Sequence, residues 1–256
     1  MLIKDEDIWI EKSILSIVDF CDEVIVLDNN SKDETWNILQ KVKKSYPKIR
    51  MERIDNPLKS HSKLSQYVAT DTWIFAVDGD EVYDRERLKR FRLKLLNGDF
   101  AKWWHLMGNC LHVTEIDYSR LRATGYMSPP SHTITKLVNF SVLKSWDEED
   151  SERLHGNNRV FKDDFDVRNT KCELFKSVDW EHAEFRCIHL CFMRRSSLGK
   201  DKRSRLNPTE NQRRFFNIYN FIRNLLIGRL SLSSYYKYKH YSLGELHEFG
   251  IDNFIK

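Results

Sequence analysis

The stretch that most restricts the fold runs from residue 23 to residue 96, where short β-rich runs alternate with amphipathic helical ones. "EVIVLD" (23–28) is β-branched and ends in a carboxylate. "SKDETWNILQKVKKSY" (31–46) reads as a helix, with acidic residues early, lysines late, and Ser31 or Asp33 as its expected cap. "IRMERID" (49–55) alternates like a strand, "KSHSKLSQYVA" (59–69) reads as a helix, and "WIFAVD" (73–78) as a buried strand. "DRERLKRFRLKLL" (84–96) is a basic helix stopped by Asn97-Gly98. Strand, helix, strand, helix, strand at this spacing predicts a parallel α/β sheet. Ligands in such sheets bind beyond the carboxyl ends of the strands, where Asp28 and Asp78 both fall.

The second half reads differently. "AKWWHLMG" and "CLHVTEI" have strand character around Gly108-Asn109, as does "HTITKLVNF" (132–140). Residues 147–170 are polar and loop-like. "AEFRCIHLCFM" (183–193) alternates, putting Cys187, His189 and Cys191 on one face and Ile188, Leu190 and Phe192 on the other. "NQRRFFNIYNFIRNLLIGRL" (211–230) is an amphipathic helix pattern. The expected organisation is one α/β domain over 1–200, divided at about residue 100 with a mixed-sheet second half, and a helical extension over 201–256 packed on it.

Composition adds limits. The chain has 256 residues, 41% apolar and 31% charged, which suits a folded globular protein with a real core. No run approaches the ~20 apolar residues of a membrane span, and "MLIKDEDIWIEK" lacks a signal core, so a cytoplasmic protein is expected. Five cysteines without disulfide spacing agree with reduced thiols. The net charge of +4 is small, but arginines and lysines crowd residues 194–240. No nucleic-acid motif accompanies them, so no nucleic-acid partner is expected. The arginines and aromatics of 211–241 also suit contact with a membrane surface, although core packing explains the aromatic stripe more simply.

The chemistry centres on "VDGDE" (77–81), three carboxylates in four residues after an apolar strand. Burying them uncompensated would be costly. Alternate carboxylates around a glycine grip Mn²⁺ or Mg²⁺ with few protein ligands, leaving room for a substrate diphosphate. The same pattern fits a haloacid-dehalogenase-like phosphatase with Asp78 as nucleophile and Asp80 as acid. That reading expects the motif on the first strand, whereas here two or three α/β units precede it. A non-catalytic nucleotide-sugar-binding module is the third reading. A zinc set of His182, Cys187, His189 and Cys191 matches no zinc spacing, and one strand face closes a tetrahedron poorly.

Taken together, "IKDEDIWIEKSI" (3–14), "DEVIVLDNNSKDET" (22–35), Lys63 in "HSKLSQYVATDTW" and "WIFAVDGDE" (73–81) resemble a family 2-type glycosyltransferase of the GT-A fold. The resemblance covers about the first 100 residues in order and spacing. It departs in a first strand of only Met1 to Ile3 and in Asn29-Asn30 at the second acidic turn, so Asp28 alone is carried over there. It implies a GT-A-like mixed sheet, a nucleotide-diphosphate sugar donor, and transfer to a hydroxyl of a glycan, lipid or protein, with inversion. Asp28 would bind the base or ribose, and Lys63 and Arg194 would lie near the nucleotide. Asp78 and Asp80 would hold Mn²⁺ or Mg²⁺ together with a late histidine, His189. Inverting transfer needs a carboxylate base near the acceptor. "SWDEEDSERLHG" (145–156) offers Glu152 first and Asp150 second, with Asp147, Glu148, Glu149 and His155 nearby.

Overall fold

In the computed structural model, residues 1–146, 159–199 and 240–255 are described. The chain begins with β1 (Leu2–Ile3), α1 (Ile10–Ile17), β2 (Val24–Asp28), α2 (Thr35–Ser45) and β3 (Ile49–Arg53). The three strands pair in parallel with β2 in the middle. Ile10 and Ile14 of α1 and Leu39 and Val42 of α2 pack with Val24, Val26 and Ile49, so both helices bury their apolar stripes with the sheet residues. Full burial of such a side chain stabilises by about 1.5–3 kcal/mol. The α2 helix starts later than its composition suggests. Glu34 is its N-cap without a side-chain cap bond, because Ser31 is turned back to Asp28. Asp33 instead accepts from the Thr35 N–H at 3.0 Å.

The expected helix over 59–69 is a run of 3₁₀ turns, Pro57–Tyr67. A larger departure follows. β4 (Trp73–Phe75) does not extend the parallel sheet. It pairs antiparallel with β9 (Leu137–Asn139), in a four-stranded sheet that also holds β6 (His105–Met107) and β12 (Cys172–Glu173). Aromatic packing accompanies this choice: the Phe75 ring lies 5.3 Å from Phe20, 4.7 Å from Tyr83 and 5.6 Å from Phe185.

After the acidic turn, β5 (Glu81–Tyr83) leads to α3 (Arg85–Leu96), which Asp84 caps by accepting from the Arg87 N–H at 3.1 Å. Asn97 ends the helix and Gly98 follows at φ +81°, the left-handed residue its sequence calls for. β5 is an edge of the five-stranded sheet, with β7 (Asn109–Asp117), β8 (Arg122–Ser128), β13 (Arg186–His189) and β14 (Leu246–Gly250). β13 lies between β7, which it parallels, and β5, which it opposes. A separate antiparallel pair joins β10 (Leu143–Trp146) and β11 (Arg159–Phe161).

The chain thus adopts the mixed α/β class expected of a GT-A-like protein. The C-terminal part corrects one expectation: residues 246–250 are an edge strand on β8 rather than helix, and a short helix, Asp252–Ile255, follows. The amphipathic pattern at 211–230 lies outside the described residues. No helix among the described residues is long and apolar enough to cross a membrane.

Candidate active site

The acidic turn sits where β4 ends and β5 begins, against the first turn of α1. The three carboxylates have three different solutions to their mutual repulsion. Asp78 is partly exposed, and the Lys136 ammonium lies 3.5 Å from its Oδ2. Asp80 is buried, with the Arg195 guanidinium 3.3 Å from Oδ2 and His189 Nε2 3.8 Å from Oδ1. Glu81 is fully buried; burial first, and the neighbouring Asp78 charge second, push its carboxyl well above the usual range. A neutral Glu81 is what such a position tolerates. The Tyr83 hydroxyl donates to its Oε2 at 3.0 Å, whereas its Oε1 meets no hydrogen-bond donor among the described residues. Glu81 is the first residue of β5, opposite His189, and its N–H closes the acidic turn by donating to the Asp78 carbonyl at 3.2 Å.

The turn itself is held by backbone. The Asp78 carbonyl accepts from Ser13 Oγ at 3.1 Å, and the Asp80 carbonyl accepts from the Leu190 N–H at 2.9 Å. Gly79 is required by contact: a Cβ there would stand 2.9 Å from Cγ of Glu6. Glu6 is itself buried, its N–H donates to Thr35 Oγ1 at 2.8 Å, and its carboxylate lies 3.5 Å from Arg195. Arg195 therefore bridges two buried acids, Glu6 and Asp80.

Residues 194–198 strap across this centre. The Arg194 carbonyl accepts from Trp9 Nε1 at 2.6 Å, and the Arg195 carbonyl from the Ile8 N–H at 3.1 Å. Ser196 Oγ donates to Asp33 at 2.6 Å, and the Ser197 N–H donates to Asp7 at 2.8 Å. The Arg194 guanidinium donates to the carbonyls of Ser196 and Ser197, so it braces the strap, while Arg195 is the one that reaches the acids.

Asp28 ends β2 fully buried, accepting from the Ser31 N–H at 3.1 Å and from the Ser31 hydroxyl, with Arg53 Nε at 3.4 Å. Lys63, on the 3₁₀ run, is ion-paired with Glu52 at 2.8 Å near the surface. Glu152, Asp150, Asp147, Glu148, Glu149 and His155 lie outside the described residues.

His189 is buried at the end of β13. Its Nδ1 lies 2.9 Å from Nδ1 of His112, the residue beside it on β7. Burial, and secondarily His189, push the His112 pKa down to about 3. Cys110, His112 and His189 offer ligand atoms within 4.8 Å of one another, and Cys191 Sγ lies 4.0 Å from His112 Nδ1. His182 takes no part: it is exposed and bonded to Asp179 at 2.7 Å. Sequence reasoning passed over Glu6, Lys136 and His112. Only Glu6 carried a signal, as the acid of "KDE" before the first helix.

Residues 3–102 match the model of Glycosyl transferase family 2. The chain is 33% identical over 89 residues to the SPbeta prophage-derived glycosyltransferase SunS of Bacillus subtilis (strain 168) and to the glycosyltransferase SunS of Bacillus phage SPbeta. That region is 34% of this chain and 20% of each relative, so the match spans about a fifth of their length. Among solved structures, S. aureus TarS 1-349 in complex with UDP aligns over 58% of this chain and 50% of its own, at 17% identity and a TM-score of 0.35. The acidic turn, the strand-end Asp28 and Glu6 all fall inside residues 3–102, the segment in which this chain is similar to Glycosyl transferase family 2.

Proposed function

We propose that the protein transfers a sugar from a nucleotide-diphosphate sugar to a hydroxyl of a glycan, lipid or protein acceptor, with inversion and with Mn²⁺ or Mg²⁺ held by Asp78, Asp80 and His189. The observation that carries this reading is the buried Asp80 carboxylate facing His189 Nε2 at 3.8 Å, with the half-exposed Asp78 two residues away. Carboxylate oxygens plus one imidazole suit a hard or borderline divalent cation, and the three-residue set leaves positions for phosphate oxygens. When bound, the cation supplies positive charge against the departing diphosphate.

The chain's own residues do the rest. Arg195 is within reach of the same diphosphate once a cation takes over the Asp80 charge. Asp28, at the end of β2, faces the base or ribose, with Lys63 and the Arg194 strap at the nucleotide's edge. Glu152, or Asp150, takes the acceptor proton. The family match favours transfer over the phosphatase alternative, which needs Asp78 as nucleophile. Contact of the basic C-terminal stretch with a membrane belongs to the same proposal, as one route to a lipid acceptor.

The test is Asp80→Ala, assayed for Mn²⁺-dependent turnover of a nucleotide-sugar panel. Loss of at least ~10²-fold with an unchanged circular-dichroism spectrum is expected. Full turnover by the variant, or by the unmodified protein in excess chelator, would sink the cation role.

A further inference from the structure

The buried histidine pair behind Asp80 defines which nitrogen of His189 faces the acid. His112 Nε2 lies 2.8 Å from the His132 carbonyl oxygen, an atom that only accepts, so that nitrogen carries the proton. The ring is fully buried, and no carboxylate hydrogen-bonds to it among the described residues, so it is neutral and its Nδ1 bears the lone pair. His189 Nδ1, 2.9 Å away, must then donate. The lone pair of His189 consequently sits on Nε2, the nitrogen that faces Asp80. The Tyr241 ring stacks on His112 at 4.6 Å and meets His189 edge-on at 5.4 Å, which fixes both ring planes.

We propose that His112 is a positioning residue for the cation site: it holds His189 in the Nδ1–H form and so presents Nε2 to a divalent ion shared with Asp80. The inference rests on the reading of Asp80 and His189 as cation ligands. A ligating histidine whose second nitrogen has a fixed hydrogen-bond partner is oriented and kept in one tautomer, and loss of such a partner weakens metal binding about 10–100-fold. Here that partner is another imidazole, itself anchored by a main-chain carbonyl. The relay His132 carbonyl, His112, His189, cation spans three loops and strands that no local pattern connects.

Two measurements on the full chain test this. In the metal-free protein, long-range ¹H–¹⁵N correlation of ¹⁵N-histidine should find His189 protonated at Nδ1 and His112 at Nε2; His189 protonated at Nε2 overturns the proposal, whatever the variants do. Mn²⁺ affinity, read by electron paramagnetic resonance with the metal alone, should fall about 10–100-fold in His112→Phe. It should largely recover in His112→Asn, whose amide oxygen replaces the Nδ1 acceptor. Wild-type affinity in His112→Phe with lost affinity in Asp80→Ala defeats the inference and leaves the cation reading standing. Wild-type affinity in both Asp80→Ala and His189→Ala defeats that reading itself. Affinity that disappears in Cys110→Ser while Asp80→Ala retains it also overturns the proposal, because the ion then sits among the thiols. If His112→Phe does not fold, the tautomer of the unmodified protein decides.

Discussion

Asp84 and Arg186 clamp β5 to β13, and so hold Glu81 and Asp80 beside His189. The Asp84 side chain is fully buried and does two jobs. It caps α3 through the Arg87 N–H at 3.1 Å, and its Oδ2 meets Arg186 at 3.2 Å (Nε) and 2.8 Å (Nη2). Arg186 is buried too, between the rings of Trp180 and Phe254 at 4.9 and 5.3 Å, with a further bond to the Trp180 carbonyl at 2.7 Å. Asp84→Ala removes the cap, at about 1 kcal/mol, and strands a buried guanidinium, for which about 3–5 kcal/mol is typical. A total near 4–6 kcal/mol is expected in urea unfolding, a large fraction of a domain's ~5–15 kcal/mol. Asp84→Asn keeps an oxygen for the cap and should recover about 1 kcal/mol of that loss. The double variant Asp84→Asn with Arg186→Met should be more stable than Asp84→Asn alone, because no charge is left buried. A loss under ~1.5 kcal/mol in Asp84→Ala, or a double variant no better than Asp84→Asn, refutes the clamp.

Two further outcomes follow from the acidic turn. Glu81 has its pKa raised by burial first and by Asp78 second, so the folded chain keeps a proton that the unfolded chain gives up near pH 4.5, and stability falls as pH rises through that interval. Glu81→Gln lacks this slope. In chelator its advantage over the parent should grow with pH above ~4.5, by up to about 1.4 kcal/mol per unit, and parallel stability curves would refute a neutral Glu81. Gly79→Ala drives a methyl to 2.9 Å from Glu6 Cγ and should destabilise by about 1–3 kcal/mol, a loss that Glu6→Ala in the same chain relieves. Simple additivity of the two changes in thermal unfolding would show that the contact is not the cause.

The parts of the fold that follow a local period were legible. β2, α2, β3 and α3 announce themselves through alternation, helix-dipole charges and the Asn97-Gly98 stop, since each is decided by residues within a few positions. Partners were not legible. "WIFAVD" reads as a buried strand, whereas Trp73–Phe75 are only half-buried, and nothing in those six residues selects β9 over β2 as its neighbour. β8 was missed because "RATGYMS" alternates in small residues rather than branched ones. Gly125 explains why: a Cβ there would stand 2.3 Å from the His112 carbonyl oxygen, so close approach to β7 requires the smallest residue. His112 reads in sequence as a lone histidine on a strand, and its meaning comes from His189, 77 positions later. Asp78 and Asp80 were visible because strand-end acids around a glycine need compensation; that the compensating cations are Lys136 and Arg195 depends on tertiary contacts alone.

The strap at 194–198 has a consequence for timing. Five hydrogen bonds tie its backbone and serines to the loops before α1 and α2, through Ile8, Trp9, Asp7 and Asp33, and Arg195 adds its ties to Glu6 and Asp80. At about 1 kcal/mol per bond, no single contact is strong, but the strap is five residues long and its anchors share them, so releasing one loosens the next. Opening of the site would then take a joint release of these bonds rather than fraying from one end. Admission of a bulky charged ligand beneath the strap and its later escape would pass through the same concerted release, on the microsecond-to-millisecond scale of loop gating. Any ligand that reaches Asp80 from beneath the strap would have to wait for Arg195 to leave both Glu6 and Asp80.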